Sequence, residues 1–383
     1  MGLAIAIFFI SLAEGVYAQL IENVVRMQAG HVTLEHSEYR RAPNTDLWID
    51  DAAALQARAA AIEDVAFAKP LILGQAMARS GVGTVGAVVM GVAPAVEAQH
   101  SPLARHLIAG EYLADGDEAE VLLGREMARR LNLDLGKKLV LTTNDVEGNL
   151  IDELYRVKGI FDSGSTDVDG HLVQMSIGSA RRIFGLPEHS ATQVGLVLSR
   201  PGAQAAVIDE MRGEVAGRAV AVRSWEEVLP EIASYIRLDR GSNWIFQVLL
   251  IVLILFTIFN TVLMSVLERQ REFAMLLAIG TRPRDLRWQV FLETVYIAIL
   301  GCVIGVAAGS AIAGVIQMRG LDLRTFYPSG VTISGFAIDP VIRARLSMDV
   351  LAGTTGIVLA AVLSLCLIPM RQATRLRIVD WLR

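Results

Sequence analysis

The chain has 383 residues, 53% of them hydrophobic and only 20% charged, with a mean hydropathy of +0.46, a combination outside the range of ordinary soluble domains. The net charge of −5 is unevenly spread: residues 28–241 carry 30 acids against 21 bases, a balance of −9, and the rest 10 acids against 14 bases, a balance of +4. An acidic insert in a mildly basic, apolar chain argues against nucleic acid as a partner, which needs a basic patch, and points to a membrane protein with one large soluble part.

Gly2 to Ala13 is apolar, and helical periodicity continues through Val16, Leu20, Ile21, Val24 and Val25, so residues 1–27 are predicted as a first transmembrane helix. A second reading is a cleaved signal peptide ending at Val16-Tyr17-Ala18; against it, no Lys or Arg precedes the apolar run and Glu14 interrupts it. The missing basic lead-in predicts a natural first helix that begins upstream of Met1. Both readings put the soluble part outside.

Residues 28–241 mix short β-like runs with helices, the pattern of an α+β domain. His31 to Leu34 alternates as a strand; Asp51 to Ile62 is Ala-rich and helical, with Asp50 or Asp51 as N-cap. Strands follow at 120–123, 139–142 and 155–161, with a helix at 125–131 between the first two. The stretch 162–171 reads as an acidic loop, and helices are expected at 202–215 and 225–238, the last running almost directly into the membrane. The domain holds all six histidines but no His-Glu-x-x-His or Gly-x-Ser-x-Gly, and the whole chain has no Gly-x4-Gly-Lys-Ser/Thr phosphate loop. No catalytic residue is assigned. Asp162, Asp167, Asp169 and His171 match no calcium-loop spacing and read as a solvated loop, with a metal site the minor alternative. Cys302 and Cys366 lie in apolar runs, which excludes a disulfide framework or a cysteine metal site.

Three further apolar runs, Trp244 to Leu267, Phe291 to Val315 and Val350 to Met370, are each long enough to cross about 30 Å of hydrocarbon as a helix. They predict transmembrane helices at 242–267, 290–316 and 349–370, separated by a loop at 268–289 and a loop at 317–348 and followed by a tail at 371–383. The 268–289 loop carries Arg269, Arg271, Arg282, Arg284 and Arg287, and the tail Arg371, Arg375, Arg377 and Arg383. The 317–348 loop has only Arg319, Arg324, Arg343 and Arg345. The positive-inside bias therefore places 268–289 and the C-terminus in the cytoplasm, and 28–241 and 317–348 outside.

Glu268 to Gly280 is the most informative segment. Glu268 and Glu272 are four apart on one side of a short helix, Phe273, Leu276 and Leu277 form an apolar face, Gly280 is a plausible C-cap and Pro283 stops continuation. Such a helix lies on the membrane or docks into a partner's groove; the alternative is a solvated connector. In the membrane runs, Gly301, Gly305 and Gly309 repeat every four residues and permit close helix packing, within the subunit or against a second one. Glu293 sits near the cytoplasmic end, tolerable if it snorkels or pairs with Arg287 or Arg271, and Asn260 needs an interhelical hydrogen bond. Trp244 and Phe246 read as interfacial anchors.

The string Glu268-Arg269-Gln270-Arg271-Glu272-Phe273 through Gly280 resembles the E-R-x-R-E-[IF]-G-x-L-[RK]-A-[IL]-G coupling segment of the FtsX-like permeases, the ABC group that includes MacB and the lipoprotein-releasing LolC and LolE subunits. Phe291-Leu292-Glu293 with the three glycines is similar to that family's third helix, and Pro369 through Arg383 to its tail. Leu122-Leu123-Gly124-Arg125-Glu126, Leu135-Gly136-Lys137-Lys138 and Val157-Lys158-Gly159-Ile160 resemble its MacB-type extracytoplasmic domain. Ala274 stands where the family has Gly, Leu277 where it has a basic residue, and Val379-Asp380 where it has Pro-Val. The resemblance implies a membrane α-helical permease of four helices plus an α+β extracytoplasmic domain, in a bacterial inner membrane. It implies no enzyme activity or cofactor of its own; ATP and Mg would sit on a cytoplasmic ABC ATPase dimer, docked through Glu268, Arg269, Arg271, Glu272, Phe273, Leu276, Leu277, Gly280 and Arg284. A second permease copy or homologue, and a lipoprotein or periplasmic carrier or adaptor, are the other implied partners. Acyl chains of a lipoprotein would enter beside Ile245, Val248, Leu249 and Val252. The implied mechanism is mechanotransmission, with lipoprotein release the preferred function. The alternatives are MacB-like efflux, an FtsX-like scaffold controlling a cell-wall hydrolase and, outside the family, a membrane-anchored receptor or hydrolase.

Overall fold

The computed structural model describes residues 1–28, 30–41, 43–322, 331–333, 336–338 and 341–373, of which 331–333, 336–338 and 366–373 by their backbone alone. The sequence expectations that fall on Cys366, Arg324 and the tail from Pro369 lie outside the described side chains. Two compact units form, one of Met1–Ala18, Ile236–Phe326 and Pro340–Arg383, the other of Gln19–Tyr235 and Tyr327–Asp339.

The second unit is built on strands. After α1 (Gly2–Met27) come β1 (Val32–His36), α2 (Ala52–Ala60), the long hairpin of β2 (Val65–Arg79) and β3 (Thr84–Val92), and the short helices α3 (Pro94–His100) and α4 (Pro102–Arg105). Then follow β4 (Leu107–Gly110), β5 (Glu120–Gly124), α5 (Arg125–Arg130), β6 (Lys138–Asn144), β7 (Leu150–Phe161), α6 (Thr166–His171), β8 (Leu172–Ser176), α7 (Ile177–Phe184), β9 (Gln193–Leu198), α8 (Gln204–Glu214), β10 (Val220–Ser224) and α9 (Trp225–Val228). The strands pair in the order β10-β1-β9-β2-β3-β8-β5-β7-β4, with β6 joining β7 back to β2. Those pairings close a ring of six strands, β2, β3, β8, β5, β7 and β6, from which β9, β1 and β10 extend as a wing.

β5, β8 and β9 are buried on both faces and read as nearly continuous apolar runs, whereas β6, β7 and the second half of β2 bury alternate residues. Ile72, Val89, Leu123 and Val157 join Leu55 of α2 and Phe184 of α7 in one core, while the neighbouring Leu71, Met90, Leu122 and Phe161 belong to a second. Gly74 and Gly91 are needed for this: a Cβ on either would come within 2.2–2.3 Å of Phe184 or Ala180 of α7. Inside this unit α1 ends on a buried ion pair. Lys69 Nζ donates to the Arg26 carbonyl and to Glu97 Oε1 at 2.7 Å, with the two side chains only 1% and 2% exposed. A cation at the carbonyl end of a helix is favourable, and removing either partner of such a pair costs about 3–5 kcal/mol.

Three local expectations need correction. Asp51 precedes α2 but makes no side-chain cap bond, and Asp50 instead accepts from the Trp48 indole at 2.7 Å. Residues 166–171 form a helical turn, capped by Ser165, rather than a loop. The helix expected at 225–238 is broken at Leu229: α9 ends at Val228 behind a capping box of Ser224 and Glu227, and Pro230, which has no N–H to lose at a helix start, opens the next helix.

The first unit is helical. α10 (Pro230–Glu268), α11 (Gln270–Ala278), α12 (Pro283–Arg319) and α13 (Met348–Ala373) complete the chain, and α1, α10, α12 and Met348–Leu365 of α13 are long and apolar enough to cross a membrane. α10 has 39 residues and α12 37, longer than the apolar runs that predicted them, because polar turns such as Asp285 to Gln289 continue the helix without a breaker. Leu3, Ile7, Ile251, Val358 and Val362 form the buried centre. Gly305 and Gly309 face α1, where an added Cβ would come within 3.0 Å of Leu3 or of the Ala4 carbonyl; Gly301 meets nothing within 4 Å. Gly15 lets the 343–345 segment cross α1, with the Arg345 N–H donating to the Ser11 carbonyl at 2.8 Å. Gly309→Val is therefore expected to destabilise the helical unit by about 1–3 kcal/mol, the cost of overpacking, whereas Gly301→Val leaves it within roughly 0.5 kcal/mol of the parent. Thermal unfolding in detergent reads both.

Candidate functional site

The segment between α10 and α12 folds as a short amphipathic helix, but its apolar face is not free. Phe273 and Ala274 are each 2% exposed; Phe273 packs on Val266 of α10 and on Leu286 and Val290 of α12, with Leu276 and Leu277 partly buried beside it. The face expected to lie on a membrane or in a partner's groove thus anchors the helix to its own chain. What remains outside is Glu268, Arg271, Glu272, Gly280 and Arg284, together with the exposed Met275 and Ile279, which the sequence reading passed over. Gly280 ends the helix at φ +102°, donating to the Leu277 carbonyl while the Thr281 N–H donates to the Leu276 carbonyl, a Schellman arrangement that favours glycine.

Arg269 binds the segment to α12. Its Nε donates to Glu272 at 3.0 Å and its Nη1 to Glu293 at 3.0 Å, and its guanidinium lies 5.4 Å over the Phe273 ring. The partner of Glu293 is therefore Arg269, not Arg287 or Arg271: Arg287 donates back to the Pro283 carbonyl. Thr257, Thr261 and Ser265 line a small cavity of about 230 Å³ that ends at this Arg269–Glu293 pair. Asn260 is exposed on α10, and among the described residues its side chain makes no hydrogen bond within the chain.

A larger cavity of about 680 Å³ lies between α1 and α10. Phe9, Ala13, Trp244, Phe246 and Leu250 make its apolar walls, and polar groups crowd one end. There Arg240 pairs with Glu14 at 3.0 Å and lies 5.2 Å over the Tyr17 ring, Tyr17 donates to Asp239, and Asn243 donates to the Tyr17 oxygen. Of the residues expected beside acyl chains, Ile245, Leu249 and Val252 are exposed and Val248 is partly buried; the cavity is lined by their neighbours Trp244, Gln247 and Leu250. The missed signal was in the sequence. Glu14, which interrupts the first apolar run, is the counter-ion of Arg240, which stands four residues before Trp244.

The acidic turn divides its groups among separate partners. Asp162 pairs with Arg125 at 2.6 Å, the His171 ring contacts the Asp167 carbonyl, and Asp169, 3% exposed, accepts from the Ser163 N–H at 2.9 Å. Among the described residues no three His, Cys, Asp or Glu side chains converge on a common centre. Burial, aided by Asp162, pushes the Asp169 carboxyl up to about 6.

Two outcomes are expected. Phe273→Ala should cost about 3–5 kcal/mol, read as loss of the α11 anchor by limited proteolysis within 268–282, while Ile279→Ala leaves proteolysis unchanged. For Asp169 the folded-state value lies above the unfolded one, so its contribution is complete below about pH 4 and is lost as pH rises through about 6. Asp169→Asn should therefore gain stability relative to the parent as pH is raised from about 5 to about 7, measured by paired thermal melts.

Comparison with known proteins agrees with this architecture. Residues 1–214 match the MacB-like periplasmic core domain, and residues 244–378 match the FtsX-like permease C-terminal region. The lipoprotein-releasing system transmembrane protein LolC of Neisseria meningitidis serogroup B is 24% identical over 249 residues, covering 63% of this chain and 60% of that protein, less than two thirds of its length. LolC of Xylella fastidiosa is 24% identical over 318 residues, covering 81% and 73%. The ABC transporter permease YtrF of Bacillus subtilis is 39% identical over 61 residues, 16% of this chain and 14% of that one. Among solved structures, the periplasmic region of MacB from Actinobacillus actinomycetemcomitans aligns with 12% identity and a TM-score of 0.38 over 53% of this chain and 92% of that one. Four apolar helices, a strand-built domain inserted after the first of them and an FtsX-like C-terminal half place this chain in the FtsX/MacB/LolC family of ABC transporter permeases.

Proposed function

We propose that the chain is the permease subunit of an ABC transporter that releases lipoproteins from the bacterial inner membrane toward the outer envelope. It would work as a homodimer or beside a related permease, with residues 28–241 outside and 268–289 in the cytoplasm. The cavity between α1 and α10 carries the cargo assignment. Its apolar walls suit acyl chains, and the Glu14, Arg240, Asn243 and Tyr17 groups at one end suit the point where a lipoprotein changes from lipid to peptide. The lipoprotein-releasing relatives support the same class.

The drive would come from a separate cytoplasmic ATPase dimer, which supplies ATP and Mg. The exposed Glu268, Arg271, Glu272 and Arg284 form a charged docking surface. The inward anchoring of Phe273 and the Arg269 bridge to Glu293 would pass a push on α11 into α10 and α12. Movement of this kind acts on cargo from outside the membrane, passing it to a periplasmic carrier or adaptor, and needs no aqueous path.

The test is affinity purification of the tagged chain in mild detergent, with a photo-crosslinker at Phe9. An ATP-hydrolysing subunit should co-purify and fall at least about tenfold in Glu272→Lys, equivalent to ~1.4 kcal/mol of docking energy. The crosslinker should capture acylated protein. A folded chain that brings down no ATPase overturns the transporter reading; capture of lipids alone overturns the cargo.

A further inference from the structure

The strand-built unit contains a cavity of about 440 Å³, within the roughly 300–1,000 Å³ of small-ligand sites, that plays no part in the function above. Its position follows from the sheet. One edge of β2 pairs with β9 as far as Leu71, opposite Gln193, and with β6 from Met77, opposite Thr142. Between those two stretches the strands diverge, and the cavity opens over Leu73, Gly74 and Gln75.

Threonine hydroxyls stand in for the missing strand at this gap. Thr192 Oγ1 accepts from the Leu73 N–H at 2.9 Å and lies 3.1 Å from the Leu71 carbonyl, and Thr143 Oγ1 donates to the Gln75 carbonyl at 2.6 Å. The Leu71 carbonyl, the Leu73 N–H and the Gln75 carbonyl are thus paired without a third strand pressing in, and the space stays open.

The wall is mixed: Pro43, Leu73, Val88, Val228 and Leu229 are apolar, and among its described residues Arg40 is the one charged side chain. Glu35, fully buried, takes a forked contact from Arg40 at 2.8–3.2 Å, and Arg40 Nη1 donates to the Val228 carbonyl at 2.9 Å. Arg223 Nε lies 3.6 Å from the same carboxylate, so Glu35 is engaged from two sides and Arg40 meets the cavity already held by it. Gln193, 2% exposed, donates from Nε2 to Glu35 at 3.0 Å, which fixes the amide and leaves Oε1 buried with no partner. A buried acceptor without a donor is costly and marks a place where a donor is expected. The remaining polar side chains around the cavity, Gln28, Asn44, Thr45, Gln75 and Asn144, are all neutral.

The amides and hydroxyls of this wall offer both donors and acceptors beside an apolar surface, the pattern that matches a peptide backbone. A sugar would ask for an open aromatic face, and the one aromatic residue in the wall, Tyr39, is 5% exposed. We propose that this cavity binds a short, neutral, extended stretch of peptide, whose backbone N–H satisfies Gln193 Oε1 and whose remaining amides pair with the glutamine and asparagine rim. The assignment requires neither an ATPase nor an acylated cargo and so stands apart from the transporter reading.

The experiment uses the full chain in detergent and a blocked, neutral hexapeptide of serine, glycine, asparagine and glutamine that carries a diazirine. Irradiation and mass spectrometry map the adducts. Adducts on residues 73–75 and 143–144, displaced by unlabelled peptide and cut at least tenfold by Val88→Trp, are the expected result. Val88 is 40% exposed at the cavity wall, so the tryptophan blocks the space without touching the buried Gln193–Glu35–Arg40 set. Gln193→Leu, checked for an unchanged melting profile, should weaken labelling severalfold. Adducts scattered elsewhere, or labelling indifferent to Val88→Trp, overturn the proposal. Stronger displacement by an N-acetylglucosamine oligomer than by peptide also overturns it, reassigning the cavity to carbohydrate.

Discussion

A β-strand has one row of main-chain hydrogen-bonding groups on each edge, and in β2 a single edge is shared by two strands. β9 holds its first half and β6 its second, and the soluble unit is organised around that division. The β6 half closes the six-strand ring; the β9 half founds the wing that carries β1 and β10. A strand of ordinary length could not serve both, and β2 has 15 residues. The helices respect the same plan. α7 seats Phe184 and Ala180 over Gly74 and Gly91, so side-chain-free positions on the hairpin decide how closely the covering helix can approach.

Legibility in the sequence followed how locally each feature is determined. The membrane helices were visible because length and apolar content alone define them, and β5 and α5 because the unbroken apolar run 121–123 is followed by Gly124 and a charged helical stretch. The β2–β3 hairpin, the largest element of the soluble unit, was not seen. Pro70, Gly74, Gly81, Gly83 and Gly86 give it the composition of a loop, and only the packing of α7 and the ring closure explain why glycine suits a strand there. The helix expected at 225–238 differs for a related reason: Pro230 falls inside that span and starts a new helix there.

The connector shows the same limit at the site. Spacing showed that Phe273, Leu276 and Leu277 share a face, but not what covers it; the cover is α10 and α12 of the same chain. Arg269 is expected from its motif to dock a partner, but its bridge to α12 is not legible there, since Glu272 and Glu293 are 3 and 24 positions away and only the fold brings the second one near. Exposed ion pairs of this kind contribute little to stability singly, about 0–1 kcal/mol each, so their value here lies in fixing the direction in which α11 leaves α10.

The length of α12 has a consequence for its setting. At 1.5 Å per residue its 37 residues extend about 55 Å, well beyond the roughly 30 Å of a hydrocarbon core. Arginines occupy both ends, Arg284 and Arg287 at one and Arg319 at the other. The apolar part of α12, which begins only after the polar turns 283–289, also exceeds that thickness, and such a mismatch can be met by tilting, by bending or by thickening the bilayer, so length alone fixes no angle. Its inclination is then set by the close contacts of Gly305 and Gly309 with α1, so that lipid thickness has little hold on it and the neighbouring helix a great deal.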